Sequence, residues 1–258
     1  MKTTGNTILI TGGGSGIGRG LAEAFHALGN QVIISGRRQN TLDEVTAANP
    51  GMKSLTVDMA DAASIRAFAA KLTGEFPALN VVIHNAGIAR PENLLDQPTD
   101  VPDAEAMIQT NVLGPIRLTA ALMPLLQRQP FATLITVSSG LAFLPLAGAP
   151  TYNATKAALH SYTESLRYQL KDTKIEVLEI IPPYVQTMLG GEQQANDPRA
   201  MPLDEFIAEV MDILKTKPGE TEICVEKVLP LYQAAYGGRE KYDQTFKGFN
   251  DAMATTMH

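Results

Sequence analysis

The stretch Thr7–Gly18, TILITGGGSGIG, joins a short apolar run to a cluster of glycines. Thr7–Thr11 is rich in β-branched residues and predicts a strand, and Gly16–Leu28 has the apolar spacing of a helix. A glycine turn between them would aim the free N–H groups of the helix end at one point, and it lets the backbone approach a ligand closely. This arrangement is typical of a site for the pyrophosphate of a dinucleotide. A flexible turn without a ligand is the alternative.

The same alternation of strand and helix continues along the chain. Further strands are predicted at Gln31–Ser35, Lys53–Val57, Asn80–His84, Thr133–Ser138, Lys174–Ile181 and Thr221–Val225. Helices are predicted at Thr41–Ala48, Ala62–Leu72, Ala104–Gln127, Thr151–Leu170 and Leu203–Lys215. The pattern predicts an α/β fold, a Rossmann-like doubly wound parallel sheet of about seven strands with helices on both faces. We expect a single domain over residues 1–258, and the final polar and aromatic residues carry no assigned element.

One stretch without periodicity, Gly190–Pro202, is rich in Gly, Gln, Asn and Pro. In a doubly wound sheet, a loop that follows the carboxyl end of a strand lies on the ligand side. We therefore expect residues 188–215 to form a substrate-side loop and a lid helix. An insertion on the surface is the alternative.

The composition argues against several classes of protein. Of the 258 residues, 45% are hydrophobic and 19% are charged, which is typical of a folded globular protein. A net charge of −6 argues against nucleic acid or an anionic membrane as a partner. No apolar run approaches the length of a membrane span, and the first residues do not resemble a signal peptide. Because the one cysteine, Cys224, cannot form an intramolecular disulfide, we expect a reducing, cytoplasmic location.

Neither histidine nor cysteine predicts a metal site. The spacing of the histidines does not match a ligand pattern, and one cysteine offers no thiolate cluster, so we expect no catalytic metal. The histidines are His26, His84, His160 and His258.

The end of the second predicted strand, Ser35–Arg38, reads SGRR. A protein that binds NAD usually places Asp or Glu at this point to accept a bond from the ribose 2′-hydroxyl. Here there is no carboxylate, and Arg37 and Arg38 can give bidentate, charge-assisted bonds to a phosphate. The sequence therefore favours NADP(H), with two solvated arginines as the alternative. Ser15 stands where a basic residue would add support, so NAD(H) stays open.

At this point the chain resembles the short-chain dehydrogenase/reductase family from about Thr7 to Thr187. The motifs that carry the resemblance occur in the family's order: Thr11–Gly18, Asp58, His84–Gly87, Asn111, Ser139, Tyr152 with Lys156, and Pro182–Thr187. Two positions depart from the family pattern, since His84 replaces an Asn and Pro183 replaces a Gly. The resemblance implies that Asp58 contacts the adenine amino group. The residues expected to bind the cofactor are Gly12, Gly14, Ser15, Gly16, Ile17, Gly18, Arg37, Arg38, Asp58, Met59, Asn85, Ala86, Gly87, Tyr152, Lys156, Pro182, Val185 and Thr187.

Tyr152 and Lys156 are four residues apart on a predicted helix and therefore share one face. A nearby ammonium favours the phenolate, so we expect the pKa of Tyr152 to be lowered toward the pH at which acid–base catalysis is efficient. In reduction Tyr152 would protonate the carbonyl oxygen, and Ser139 would hold that oxygen. The resemblance adds that Lys156 holds the nicotinamide ribose and that Asn111 anchors a water for proton relay to Lys156. Separately, each could be an ordinary structural residue; together they form the predicted catalytic set.

The predicted substrate side is apolar and offers no obvious cation to hold a carboxylate. The residues expected there are Leu141, Phe143, Leu144, Tyr184, Met188 and Leu189, with Pro145 and Met201 beside them. We expect an uncharged ketone or secondary alcohol of medium to large size, although the same residues could belong to the core.

The sequence thus predicts an NADP(H)-dependent oxidoreductase, a carbonyl reductase or alcohol dehydrogenase that interconverts a ketone and a secondary alcohol. The alternative is a nucleotide-binding regulator that senses redox state without turnover. An epimerase or dehydratase is disfavoured because the chain lacks a substantial carboxyl-terminal substrate domain. The resemblance also implies a homodimer or homotetramer, packed through the helices that carry Asn111 and Tyr152.

Overall fold

Seven parallel strands form one sheet in the order β3-β2-β1-β4-β5-β6-β7 in a computed structural model, which describes residues 1–95 and 101–254. The strands are β1 Thr7–Thr11, β2 Gln31–Gly36, β3 Lys53–Thr56, β4 Val81–His84, β5 Ala132–Val137, β6 Ile175–Ile181 and β7 Glu222–Cys224. The predicted single-domain, doubly wound α/β fold is confirmed. The strand order reverses direction between β1 and β4, and at such a switch point a crevice opens at the carboxyl ends of the strands.

The helices described are α1 Gly16–Ala27, α2 Gln39–Ala48, α3 Ala62–Glu75, α4 Pro102–Ile108, α5 Gly114–Leu126, α6 Pro150–Gln169, α7 Glu192–Asn196, α8 Leu203–Thr216, α9 Leu229–Tyr236 and α10 Arg239–Ala254. They cover both faces of the sheet. Successive residues of a strand point to opposite faces, so neighbouring apolar residues of one strand pack against different helices. On β1, Ile8 and Ile10 pack in a core that includes residues of α1 and α8. Leu9 between them packs in a second core, with residues of α3, α5 and α6.

The helix predicted at Ala104–Gln127 is not regular. It is divided into α4, a π-helical turn at Gln109–Leu113, and α5. The residues keep helical spacing throughout, so the apolar pattern alone could not separate the three parts. Such π turns occur often at functional sites, and this one contains Asn111.

The stretch Gly190–Pro202 is more ordered than its lack of periodicity suggests. A 3₁₀ turn at Met188–Gly190 leads into α7, and Gly191 between them has a φ of 87°. The far end is tied back to the preceding chain, because the Met201 N–H donates to the Tyr184 carbonyl at 2.8 Å. The predicted loop therefore contains two short helical pieces, and its role as a lid stays a prediction. The sequence also left α9 and α10 unassigned.

The helices were compared with the requirements of a membrane span. Within residues 1–95 and 101–254, none of them combines the length and the apolar character that a transmembrane segment requires.

Candidate active site

The glycine turn after β1 needs the backbone freedom of its glycines. Gly12 and Gly16 have φ angles of 69° and 52°, in the left-handed region that favours glycine. A Cβ on Gly18 would collide with the Asn85 amide and the Gly12 carbonyl. The first turn of α1 therefore lies directly against the turn that follows β4. The N-cap residue Ser15 makes no side-chain capping bond, so that side chain does not satisfy the first N–H groups of α1.

Thr11 and Asn85 fasten the ends of β1 and β4 together. The Thr11 hydroxyl accepts bonds from the N–H groups of Asn85 and Ala86, both at 3.0 Å. The Asn85 amide donates to the Thr11 carbonyl at 2.9 Å. These bonds fix the two turns relative to each other, and the crevice between them keeps its shape without a ligand.

A cavity of about 200 Å³ runs along these turns. Nine of the predicted cofactor residues line it, namely Gly12, Gly14, Ser15, Arg37, Arg38, Asp58, Met59, Ala86 and Gly87. The other lining residues were not predicted to bind the cofactor, and they are Gly36, Thr41, Leu42, Val57, Ile88 and Thr110. Arg37 and Arg38 are exposed at its edge, and neither is paired with a carboxylate in the part of the chain that is described. A glycine-lined groove with free cations at one end fits a dinucleotide that carries phosphates.

The remaining predicted cofactor residues lie around this groove. Gly16 faces Thr187, because a Cβ on Gly16 would lie 3.4 Å from the Thr187 Cβ. The carbonyl of Pro182 accepts a bond from the Gly140 N–H at 2.9 Å. Val185 is buried in the first core, and Ile17 is partly buried against the same core. These last two residues support the groove more than they line it.

Ser139, Tyr152 and Lys156 come together at the carboxyl end of β5. The Tyr152 hydroxyl forms a hydrogen bond with the Ser139 side chain, and the Lys156 Nζ lies 5.6 Å from the centre of the Tyr152 ring. All three side chains are buried. Lys156 also donates to the carbonyl of Val137 on β5 at 2.8 Å. The sequence spacing of Tyr152 and Lys156 is thus matched by proximity in space.

Asn111 in the π turn completes this group. Its Oδ1 accepts from the Ile88 N–H at 2.9 Å, and its Nδ2 donates to the Ile88 carbonyl at 2.9 Å and the Thr155 hydroxyl at 3.1 Å. A Cβ on Gly87 would lie 3.4 Å from the Asn111 Oδ1 and 3.8 Å from the Lys156 Nζ. Gly87 therefore lies next to both the Asn111 amide and the Lys156 ammonium.

Burial opposes charge on both residues of the predicted acid–base pair. It raises the pKa of Tyr152 well above the ordinary value, although the bond with Ser139 works in the opposite direction. Burial therefore acts against the expected lowering of the Tyr152 pKa, which stays a prediction for the protein with its cofactor bound. Burial also lowers the pKa of Lys156 to about 8, and the charge of Glu179 partly offsets that effect.

The predicted substrate residues fall into two groups. Leu144 is fully buried, and the Phe143 ring packs against the His160 ring at 4.6 Å, so neither faces the open crevice. Met188 and Leu189 are exposed, with 59% and 37% of their surface accessible. Leu141 and Tyr184 are half-buried, and the Tyr184 hydroxyl donates to Asp197 at 3.4 Å. Of the predicted substrate residues, Met188, Leu189, Leu141 and Tyr184 are therefore the ones available to contact a substrate.

Two residues near the site were missed by the sequence analysis. The Glu92 carboxylate accepts bonds from the N–H and hydroxyl of Thr151 at 2.7 and 2.8 Å, and so caps the helix end next to Tyr152. Nothing in the spacing of Glu92 indicated this. Glu179 lies in the middle of the apolar run of β6, and its side chain is fully buried. A carboxylate within an otherwise apolar strand was a visible signal.

One cluster has ligand-type atoms close enough to hold a metal ion. Atoms of His160, Glu179 and Glu222 lie within 4.8 Å of one another. The His160 Nδ1 donates to the Glu179 carboxylate at 2.8 Å, and the Glu222 carboxylate accepts from the Tyr232 hydroxyl. These hydrogen bonds occupy part of the cluster, while the Glu179 Oε1 has no partner among the described residues.

Comparison with known proteins agrees with this geometry. Residues 6–198 match the family model described as short chain dehydrogenase. The chain is 40% identical over 253 residues to the uncharacterized oxidoreductase DltE of Bacillus subtilis, covering 97% of this chain and 98% of that protein. It is 32% identical over 248 residues to an NADP-dependent 3-hydroxy acid dehydrogenase of Schizosaccharomyces pombe, covering 90% and 95% of the two chains.

The fold is shared with solved structures. A short chain dehydrogenase of Burkholderia cenocepacia, crystallised with NADP, superposes with a TM-score of 0.81 at 23% identity, over 95% of this chain and 99% of that one. The match of family model, full-length relatives and site geometry leads to one conclusion. The chain belongs to the short-chain dehydrogenase/reductase family and is an NAD(P)-dependent oxidoreductase that acts on CH–OH groups.

Proposed function

We propose that this protein interconverts a ketone and a secondary alcohol with NADP(H), using Asn111, Ser139, Tyr152 and Lys156. The observation that carries the proposal is the convergence of Ser139, Tyr152 and Lys156 at one end of the groove described above. The bound dinucleotide supplies or accepts the hydride. All other steps fall to side chains of this chain.

In the reducing direction, Tyr152 donates its phenolic proton to the substrate oxygen. Its raised pKa keeps the phenol protonated at neutral pH, so the proton is present, but its release needs help from a nearby positive charge. The Ser139 hydroxyl holds the same oxygen, and the Lys156 ammonium stabilises the phenolate that Tyr152 leaves behind. Asn111 holds a water from which the proton is restored through Lys156. In oxidation the same residues act in the reverse order.

The preference for NADP(H) rests on Arg37 and Arg38. Both line the groove, and neither has a carboxylate partner in residues 1–95 and 101–254. Free guanidinium groups at this point suit a 2′-phosphate, and the relative from S. pombe is named as NADP-dependent. NAD(H) remains the competing cofactor.

The substrate is proposed to bind against Leu141, Tyr184, Met188 and Leu189. Residues 188–215 would cover it as a loop and a lid helix. An uncharged substrate suits these apolar side chains, whereas the relative named as a 3-hydroxy acid dehydrogenase acts on a molecule with a carboxyl group. Both substrate types therefore belong in the test. With a single cysteine in the chain, the proposal also keeps a cytoplasmic location.

The test is a panel of ketones, secondary alcohols and 3-hydroxy acids, each with NADPH or NADP⁺ and with NADH or NAD⁺. Turnover is followed at the nicotinamide absorbance. We expect turnover of an uncharged ketone or alcohol, with a higher kcat/KM for the phosphorylated cofactor. Tight NADPH binding without turnover of any panel member would instead favour a redox-sensing regulator.

A further inference from the structure

A polar row crosses the sheet beneath α6, where an apolar core would be expected. The strand register pairs Thr136 of β5 with Glu179 of β6, and Glu179 with Glu222 of β7. Paired residues of neighbouring strands point to the same face. On that face Ile175 and Val177 belong to the apolar core, and Glu179 follows them in the alternation.

Glu179 is the most deeply placed member of this row. Its side chain is fully buried, and its Oε2 is 2.8 Å from the Nδ1 of His160. Its Oε1 has no hydrogen-bond partner in the described part of the chain. A buried carboxylate is costly unless opposite charge stabilises it. The position of Glu179 therefore calls for a nearby cation.

One stripe of α6 faces the polar row. Thr163 bonds to Thr136 at 2.8 Å, and Arg167 lies 3.6 Å from Glu222. His160 contacts Glu179, and Lys156 comes one helical turn earlier on the same stripe. The Lys156 Nζ is bound to the carbonyl of Val137, the residue that follows Thr136. The ammonium thus lies at the end of the row nearest the catalytic group.

The titratable and charged groups packed around Glu179 come from three elements. They are Lys156, His160, Glu164 and Arg167 of α6, Glu222 and Cys224 of β7, and Tyr232 and Tyr236 of α9. Glu222 has partners of its own in Arg167 and Tyr232. His160 and Lys156 are left as the cationic partners for Glu179.

We propose that Glu179 is a positioning residue that acts through Lys156, its carboxylate keeping the Lys156 ammonium charged inside the protein while His160 holds that carboxylate in place. The proposal rests on the catalytic role given to Lys156 above. Burial alone draws the pKa of Lys156 down, and the attraction of Glu179 draws it back up to about 8. Without that attraction Lys156 would lose its charge closer to neutral pH.

The test compares Glu179→Gln with Glu222→Gln in the full chain. Both changes remove one carboxylate from the same row, but only Glu179 acts on Lys156. The pKa of Lys156 is measured by NMR on protein labelled with ¹³C at the lysine side chains, and Lys156→Arg identifies the signal. We expect the Lys156 pKa to fall by about one pH unit in Glu179→Gln, as for loss of a nearby opposite charge, and to stay unchanged in Glu222→Gln.

A second readout is the pH profile of turnover. The alkaline limb of kcat/KM should move to lower pH in Glu179→Gln, stay in place in Glu222→Gln, and be largely restored in Glu179→Asp. A purely structural role would lower the rate without moving the limb. If Glu179→Gln does not fold, Glu179→Leu with His160→Leu removes the buried charge together with its partner, and the same fall in the Lys156 pKa is expected.

An unchanged Lys156 pKa in a folded variant without the Glu179 carboxylate would overturn the proposal. The NMR titration needs neither cofactor nor substrate, so the two proposals can fail separately. A shifted Lys156 in a protein without turnover would leave the electrostatic link standing and contradict the proposed function. Turnover with an unshifted Lys156 would do the opposite.

Discussion

At the scale of single residues, burial favours the uncharged forms of both Tyr152 and Lys156. The phenol is held in its protonated form, and the ammonium is close to losing its proton at a pKa of about 8. Because an efficient acid or base has a pKa near the working pH, Tyr152 depends on nearby positive charge to give up its proton. The two residues are therefore sensitive to any charge placed near them, which is why the surroundings of Lys156 matter.

In the proposed function, the choice of cofactor rests on two other residues. Replacing Arg37 and Arg38 together by Ala should weaken NADPH binding by about ten-fold or more, because both guanidinium groups can bond the 2′-phosphate. NADH binding should change by much less. The dissociation constants are measured by fluorescence titration of both cofactors.

The control is Arg66→Ala with Arg128→Ala, which removes the same charge from two exposed arginines outside the groove. Equal losses for NADPH and NADH in the Arg37 and Arg38 variant would refute the assignment of the 2′-phosphate.

Prediction from sequence succeeded best where residue type and spacing carry the chemistry. Tyr152 and Lys156 share a helix face because they are four apart, and the structure brings them together with Ser139 and Asn111. The pKa of Tyr152 could not be predicted, because desolvation depends on packing that no local pattern records. No role was predicted for Glu179, because the residues around it in β6 are apolar and indicate only a buried strand.

At the scale of elements, β4 carries an unusual buried histidine. The His84 side chain is fully enclosed, with Nε2 bonded to the Thr119 hydroxyl at 2.8 Å and Nδ1 without a partner among the described residues. Burial lowers the pKa of His84 from 6.5 to about 4. The resemblance places Asn here in other members of the family, so this chain gains a titratable group in its sheet.

His84 should make the protein sensitive to acid. Because its pKa is lower in the folded state, the unfolded chain binds more protons between pH 6.5 and 4, and stability falls as the pH drops through that window. The full effect is about 3 kcal/mol of unfolding free energy. His84→Asn should flatten this part of the stability curve, measured by denaturant unfolding at several pH values.

His160→Asn provides the comparison, since Glu179 raises the pKa of His160 and its contribution to stability is lost as the pH rises. The two variants should therefore change the slope in opposite directions. An equally steep acid loss in His84→Asn would contradict the role given to this side chain.

Strands were predicted well, and their bounds agree with the structure to within a residue or two, because apolar β-branched runs mark them clearly. The prediction of helices failed where the sequence pattern is ambiguous. The π turn at Gln109–Leu113 was invisible, since one extra residue per turn leaves the composition unchanged. The final helix α10 is rich in polar residues, but Tyr242, Phe246, Phe249 and Met253 recur at helical spacing, so a signal for it was present in the sequence.

At the scale of the whole molecule, distant parts of the chain meet at one edge of the sheet. The Asn250 side chain of α10 accepts from the Ala147 N–H at 2.6 Å and donates to the Pro145 carbonyl at 3.1 Å. The final helix is thereby fastened to the segment between Ser139 and Tyr152.

Assembly into a dimer or tetramer is a further prediction. Leu95 and Ile108 are 94% and 45% exposed, close to the helices that carry Asn111 and Tyr152. Single exposed apolar side chains are ordinary on a protein surface, so this prediction rests on the family resemblance, and Ile108 is the position at which it is tested. Sedimentation should show a dimer or tetramer, and Ile108→Arg should shift it toward monomer, whereas Leu28→Arg at the end of α1 should not. A wild-type protein that sediments only as monomer would count against this assembly.

The central claim is that Tyr152 transfers the proton in an NADP(H)-dependent reaction. The most direct measurement is single-turnover oxidation of bound NADPH with the best ketone of the panel, in wild type and in Tyr152→Phe. We predict that the variant binds NADPH within a few-fold of wild type and loses at least about a thousand-fold in rate, because the phenolic proton is missing. Hydride transfer at the wild-type rate in Tyr152→Phe would contradict the account.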